Sequence, residues 1–203
     1  EGVLRLFAQG GSPAPLAALR QLVDQHVAEL EQLPPEIRAG REAAWRRAAE
    51  GPASALVASL SPGLAQLLGE PAPSPGREHE AFVEAMAATF VGLARAAPPM
   101  LLCIDDLQWL DPVSREVLVR VALGAADVPL LVVAAARTDA RNLAPVERFI
   151  RTLGQDRLQI IGVRGLSESD LGGLVAAYLG TPGATDEVDG ALARRVVGLS
   201  EGT

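Results

Sequence analysis

The sequence predicts an α/β protein in which helices flank a parallel sheet. Three observations indicate this fold. Apolar runs of strand length over 100–104, 128–136 and 158–163 alternate with segments of helical periodicity. The first two runs are apolar at every position, which is typical of parallel strands with both faces covered. Of the 203 residues, 49% are hydrophobic, which suffices for a substantial core.

The first half of the chain predicts one strand followed by helices. V-L-R-L-F-A, residues 3–8, suits a short strand. Ser12 and Pro13 predict the N-cap and first position of a helix that ends before Pro34. Proline and turn signals divide the following chain into helices over 36–50, over 53–69 with a break at residues 61 and 62, and from about 82 to 97, with a loop over 70–76.

In the second half, strands and helices alternate. Asp111 followed by Pro112 predicts an N-cap and a helix after the strand at 100–104. Ser167 and Asp170 have the spacing of a capping box. The remaining elements are a strand over 128–136, a helix over 144–153, a strand over 158–163, a helix from 167, and a last helix over about 186–198.

Composition excludes several classes of function. The net charge of −7 argues against a nucleic-acid or anionic-lipid surface on this segment. No apolar run is long enough for a transmembrane helix, and the basic region of a signal peptide is missing at the start. The single cysteine, Cys103, fits a reducing cytoplasm. All eighteen basic residues are arginine, which rules out lysine-dependent chemistry such as Schiff-base formation in this chain. His26 and His79 lack partners at zinc-ligand spacing.

Two adjacent carboxylates, Asp105 and Asp106, follow the apolar strand at 100–104. Ligands of open parallel sheets bind at the carboxyl ends of strands, where Mg²⁺ would account for the paired charges. Asp105 would hold the metal, and Asp106 would orient or deprotonate the attacking water, as in the Walker B motif of ATPases. The alternative is that either carboxylate only caps or forms an ion pair at the strand end.

The string L-L-C-I-D-D-L-Q-W-L-D-P-V-S-R-E-V-L, which starts at Leu101, resembles the Walker B segment of AAA-type ATPase domains in large bacterial signalling proteins. These are the signal-transduction NTPases with numerous domains, found in LuxR-type regulators, adenylate cyclases and hybrid kinases. In L-L-V-V-A-A-A-R-T-D, the resemblance gives Arg137 the sensor-1 role, in contact with the γ-phosphate of ATP. The alternative is an ordinary surface arginine that follows a strand. Segment 165–175 resembles the helix start after the fifth strand of these domains, and segment 196–203 resembles a segment within their helical lid.

The resemblance implies a P-loop NTPase-like fold with ATP and Mg²⁺ as cofactors. Residues 1–165 would form a partial nucleotide-binding domain with a helical insert over about 13–97, and 166–203 would begin the lid. The lysine-containing Walker A motif of these ATPases is missing from the sequence. The Walker A strand is therefore expected to precede Glu1 in a longer polypeptide. The alternative is a degenerate, non-catalytic scaffold for protein interaction. The expected partners are other domains of the parent chain, and the sequence leaves open whether the protein forms a homo-oligomer.

Other residues near the carboxylates have simpler interpretations. Asp111 is expected to cap its helix rather than to bind metal. Trp109 is expected to pack beneath the site rather than to contact nucleotide, and Gln108 has the same two alternatives. Asp139 suits the start of a turn. Ser200 lacks the G-x-S-x-G context of a nucleophilic hydrolase.

Overall fold

A computed structural model of the chain describes residues 4–12, 14–51, 54–69, 78–96, 99–137, 139, 143–167, 170 and 174. The chain divides into two compact units, Glu1–Leu158 and Gln159–Thr203. In the described part of the first unit, three strands and seven α-helices follow one another. The strands are β1 (Leu4–Gln9), β2 (Met100–Asp105) and β3 (Leu130–Ala134), and the helices are α1 (Ala17–Glu31), α2 (Pro35–Ala48), α3 (Ser54–Ala58), α4 (Pro62–Leu68), α5 (Glu78–Ala96), α6 (Pro112–Gly124) and α7 (Leu143–Leu153).

The strands form one parallel sheet in the order β1-β2-β3. Cys103 is in register with Phe7 on one side and with Val133 on the other. The five helices α1 to α5 connect β1 to β2, and α6 connects β2 to β3. This arrangement confirms the predicted α/β class, and it brings the carboxyl ends of all three strands to the same edge of the sheet.

One face of the sheet lies in the core. Leu6, Leu102 and Ile104 are buried on this face, and they belong to one cluster with Trp45 of α2 and Phe90 of α5. The other face is more open: Leu101 and Cys103 are only partly buried, and the side chain of Leu131 is 61% exposed. The apolar run at 100–104 therefore predicted the strand correctly, but the expectation that both faces are covered is not met in the described part of the chain.

Side chains of α1 lie along the outer edge of β1, the edge that faces away from β2. Gln25 Oε1 accepts a hydrogen bond from the Phe7 N–H (3.1 Å), and Gln21 Oε1 accepts one from the Gln9 N–H (3.1 Å). These two amides are one helical turn apart, so they match the two-residue repeat of outward-pointing N–H groups on the strand. They satisfy backbone donors that a neighbouring strand would otherwise take.

The predicted start of one helix and one predicted strand were wrong. Helix α1 begins at Ala17 rather than at Pro13, after Leu16 in a left-handed conformation with φ 60°. Ser12 accepts only a local hydrogen bond from the Ala14 N–H (3.3 Å), whereas the Leu16 N–H donates to Asp111 at 3.2 Å. A contact distant in sequence thus fixes the helix start, and a local capping signal cannot reveal such a contact.

The expected strand over 158–163 is also wrong, because these residues have no strand structure. Val163 is 93% exposed, and Ile160 and Ile161 are exposed as well. Apolar β-branched residues favour a strand only where a neighbouring strand provides hydrogen-bond partners. In the described part of the sheet, β3 pairs with β2 alone.

Strands β1 to β3 and helices α2 to α7 agree with the predicted elements within a few residues. Ser167 and Asp170 make the reciprocal contacts of a capping box, with each backbone N–H donating to the other's side chain at 3.2 Å. The expected loop at 70–76, most of the expected helix that starts at 167, and the last helix at 186–198 lie outside the described residues. Among the helices that the structure describes, none has the length and apolar character to cross a membrane.

Candidate functional site

The two adjacent carboxylates lie where β2 ends. Asp105 is the last residue of β2, and Asp106 has a left-handed backbone with φ 52°. A short 3-10 turn, Leu107–Trp109, follows. Asp106 is one of two non-glycine residues with positive φ in the described chain, and this conformation is uncommon outside functional or tightly packed positions. The turn directs the chain away from the sheet directly after the second carboxylate.

Two amide side chains hold the Asp106 carboxylate. Gln9 Nε2 donates to Oδ2 at 3.0 Å, and Gln108 Nε2 donates to Oδ1 at 2.9 Å. The hydrogen bond from Gln9, then that from Gln108, and then the positive charge of Arg137 lower the pKa of Asp106 below its usual value. The carboxylate is therefore ionised at neutral pH and has one fixed donor on each oxygen.

Gln108 also connects Asp106 to the segment that follows β3. Its Oε1 accepts a hydrogen bond from the Arg137 N–H at 3.0 Å, and its side chain is only 5% exposed. The backbone joins the same segments, because the Ala135 N–H donates to Ile104 (2.8 Å) and the Leu107 N–H donates to Ala135 (2.9 Å). The structure thus brings Asp105, Asp106 and Arg137 to one edge of the sheet.

Gly10 lets the end of β1 approach Asp106 closely. The Gly10 N–H donates to the Asp105 carbonyl at 2.9 Å. A Cβ at this position would lie 2.3 Å from the Asp106 carbonyl oxygen, far inside ordinary van der Waals contact. Only glycine allows the present arrangement of the β1 end and the carboxylate turn.

Asp111 caps the start of α6 with both of its carboxylate oxygens. Its Oδ1 accepts from the Val113 N–H (3.1 Å) and the Ser114 N–H (3.0 Å), and its Oδ2 accepts from the Ser114 hydroxyl (2.5 Å). Oδ2 also accepts the Leu16 N–H, which joins α6 to the start of α1. These contacts confirm the expected capping role at the first turn of α6.

Trp109 does not pack beneath the site, contrary to expectation, because its side chain is 55% exposed. Its neighbour Gln108 is the buried member of the pair. The 3-10 turn explains the difference, since successive residues of such a tight turn point in different directions. The expectation for Trp109 was therefore wrong.

The carboxylates fit a metal shared with a ligand rather than one enclosed by protein. In the part of the chain that the structure describes, no group of three or more His, Cys, Asp or Glu side chains could hold a metal ion. Asp105 Oδ1 accepts the Asp106 N–H at 2.9 Å. Mg²⁺ commonly binds one or two carboxylates and keeps water and phosphate oxygens as its other ligands. The donor set fits that pattern.

Sequence reasoning missed Gln9 and left the role of Gln108 open. Gln9 is the last residue of β1 and is in register with Asp105. Because β1 and β2 were both expected in one parallel sheet, their carboxyl ends were expected at the same edge. A polar residue at the end of β1 was therefore the available signal for a contact with the carboxylates. The two hydrogen bonds of Gln108, to Asp106 and to the Arg137 N–H, had no such signal, because they depend on the conformation of the turn.

The parallel sheet, its flanking helices and the carboxylates at its carboxyl edge define an α/β domain consistent with the P-loop NTPase-like fold. A model of the family described as AAA ATPase domain matches residues 5–133, well over half of the chain, and the chain belongs to this family. The matched range includes Gln9, Asp105 and Asp106 and ends before Arg137. Neither a curated protein nor a solved structure matches the chain.

Proposed function

We propose that the chain supplies the Walker B and sensor-1 residues of an ATP-binding switch module in a multidomain bacterial signalling or transcriptional regulator. The observation that carries this proposal is the ionised Asp106 carboxylate, held by Gln9 and Gln108 at the carboxyl edge of the sheet. Membership of the AAA ATPase domain family implies nucleotide binding. The resemblance of the segment around Asp105 to the signalling ATPases supports the finer assignment.

Each residue has a distinct role in this proposal. Asp105 binds Mg²⁺, which would neutralise charge on the phosphate groups of ATP. Asp106 accepts a hydrogen bond from the attacking water and orients it. Its lowered pKa makes it a weak base, so orientation is favoured over complete removal of the proton. Arg137, three residues beyond the end of β3, supplies positive charge to the γ-phosphate.

The phosphate-binding loop must come from outside the 203 residues if the module hydrolyses ATP, because the chain contains no lysine. We propose that a longer, cytoplasmic polypeptide provides this loop, and that residues 166–203 begin its helical lid. Binding and hydrolysis of ATP would then shift the parent protein between two conformational states.

The experiment substitutes the carboxylates in the longer protein. Asp106→Asn should preserve ATP binding and lower turnover by about 100-fold or more, as expected for loss of a water-orienting carboxylate. Asp105→Asn should also weaken Mg²⁺-dependent ATP binding. Asp127→Asn is the matched control, because this exposed carboxylate precedes β3 at the opposite end of the sheet. Equal turnover in the wild type and Asp106→Asn would overturn the assignment.

The second candidate function is a non-catalytic scaffold for protein interaction or oligomerisation. The absence of lysine from the sequence favours it. A lysine-containing phosphate loop in the parent gene would exclude this alternative, whereas a parent protein that binds no ATP would support it. Under the ATPase proposal, isothermal titration of the 203-residue chain with Mg-ATP should show no binding, and micromolar affinity would mean that the nucleotide site lies elsewhere.

A further inference from the structure

We infer that Gln108 is a positioning residue that couples the Asp106 carboxylate to the backbone at Arg137. Its contribution to catalysis rests on the proposed function, whereas the coupling itself is a property of the folded chain. No role for this residue follows from the paired carboxylates alone. The inference concerns how the catalytic carboxylate is held in relation to the end of the neighbouring strand β3.

The chemistry of the primary amide is what makes the coupling specific. Gln108 donates to Asp106 Oδ1 through Nε2 (2.9 Å) and accepts from the Arg137 N–H through Oε1 (3.0 Å). A carboxylate could accept but not donate, and an apolar side chain could do neither. Among side chains of this length, only an amide meets both requirements.

The orientation of this amide is fixed. A rotation by 180° would place the Nε2 hydrogens against the Arg137 N–H and the Oε1 atom against the Asp106 carboxylate, so both contacts would become repulsive. Burial removes the solvent that could compensate for them, since the Gln108 side chain is 5% exposed. One rotamer therefore satisfies both partners.

The turn that carries Gln108 is itself anchored. Leu107 is buried and donates its N–H to Ala135, and the Trp109 N–H donates to the Asp106 carbonyl at 2.8 Å. Because its backbone is held on both sides, the Gln108 side chain can couple a displacement of the Arg137 backbone to the Asp106 carboxylate. A movement of the Arg137 backbone, as when its guanidinium engages a phosphate, would change the position of Asp106 Oδ1.

The other oxygen of Asp106 is bound independently by Gln9 at the end of β1. The carboxylate thus has one attachment to β1 and one, through Gln108, to the segment after β3. Loss of Gln108 should release Oδ1 while Oδ2 remains held, which leaves Asp106 charged but incorrectly oriented. We therefore expect a defect in turnover rather than in nucleotide binding.

The test uses Gln108→Met and Gln108→Glu, which separate the two hydrogen bonds. Met removes both, whereas Glu keeps an acceptor for the Arg137 N–H but replaces the donor to Asp106 by a second carboxylate oxygen, which repels Asp106. In the 203-residue chain, hydrogen exchange at the Arg137 amide, followed by NMR, should accelerate at least about tenfold in Gln108→Met and less in Gln108→Glu, which keeps an acceptor for this amide. Gln66→Met, an exposed substitution in α4, is the control and should leave the rate unchanged.

A second measurement follows catalysis in the longer protein. Both Gln108 variants should lower kcat about tenfold or more and change KM for ATP little, because a small misplacement of a reacting group affects the chemical step. Circular dichroism confirms that each variant is folded. Equal Arg137 exchange in Gln108→Met and the wild type, or unchanged kcat in both variants, would overturn the inference. A wild-type protein without ATPase activity would refute the proposed function, and the exchange data would still decide on the coupling.

Discussion

Replacement of Gly10 by alanine should destabilise the protein, because the carboxylate turn leaves no room for a Cβ. The added atom would lie 2.3 Å from the Asp106 carbonyl oxygen and 3.2 Å from the carbonyl carbons of Asp106 and Trp109. All three neighbours are backbone atoms, so no side-chain rotation can relieve the clash. Gly10 is also outside the positive-φ region, and a destabilising effect would therefore report on contact and not on backbone strain.

The magnitude follows from two contributions. Overpacking against atoms that cannot rotate away costs about 1–3 kcal/mol. Displacement of the strand end would also weaken the 2.9 Å hydrogen bond from the Gly10 N–H to Asp105, which adds about 0.5–1.5 kcal/mol. We expect Gly10→Ala to lower the free energy of unfolding by about 2–4 kcal/mol in total.

Urea unfolding followed by circular dichroism measures this change. With a slope of about 2 kcal/mol per molar urea, the midpoint should fall by about 1–2 M. Gly40→Ala is the matched control, since Gly40 lies in α2 with no atom within 4 Å of the added Cβ. This substitution should stabilise the protein by about 0.5–1 kcal/mol. A Gly10→Ala midpoint equal to that of the wild type would refute the steric argument.

Three further substitutions have defined expected effects. Asp111→Ala should lower the free energy of unfolding by about 2–3 kcal/mol in urea titrations, because the cap of α6 and the bond to the Leu16 N–H are both lost. Burial, with a smaller effect of Arg41, lowers the pKa of His26 to about 4, whereas the unfolded value is 6.5. The unfolded chain therefore binds the proton more readily, and stability is lost as the pH falls from about 6.5 to about 4. Between pH 7 and pH 5 the His26 contribution should be about 2 kcal/mol, and His26→Leu should remove it from the pH dependence of unfolding. Arg120→Met should lower the thermally measured stability by less than about 1 kcal/mol, because its ion pairs with Glu84 and Glu116 are accessible to solvent and only partly buried.

Each of these effects has a control and a contrary outcome. Asp111→Asn retains an oxygen acceptor for the cap, so it should be less harmful than Asp111→Ala, and equal losses would contradict the capping argument. A pH dependence of the same size in His26→Leu would show that His26 is not responsible for it. A loss well above 1 kcal/mol in Arg120→Met would mean that the ion pairs joining α5 and α6 contribute more than exposure allows.

The sequence revealed the location of the carboxylates because two separable signals agreed. An apolar run of five residues predicted a buried strand, and Asp105 and Asp106 directly follow it. The parallel arrangement then required the end of β3 to lie beside them. Apolar periodicity is a local property, and together with the resemblance to the signalling ATPases it placed Arg137 in the same region.

The contacts that complete the site depend on properties that a pattern does not contain. The bond from Gln9 to Asp106 joins residues 97 positions apart, and that from the Arg137 N–H to Gln108 depends on the turn after Asp106. The start of α1 was misplaced for a similar reason, because Asp111 binds Leu16 from a distant helix. Residues 158–163 carry a strand-like pattern without strand structure, since apolarity alone does not specify a pairing partner.

The glutamines of α1 favour one border of the sheet for the addition of a further strand. Gln21 and Gln25 already occupy the outward N–H groups of Gln9 and Phe7, so a strand joining the β1 side would have to displace these two side chains. In the described sheet, β3 is the strand at the opposite border, and Arg137 follows its end. Any strand recruited from elsewhere would therefore join beside β3, and its own carboxyl end, if parallel, would arrive next to Arg137. Extension of the sheet and assembly of the proposed nucleotide site would then be a single event.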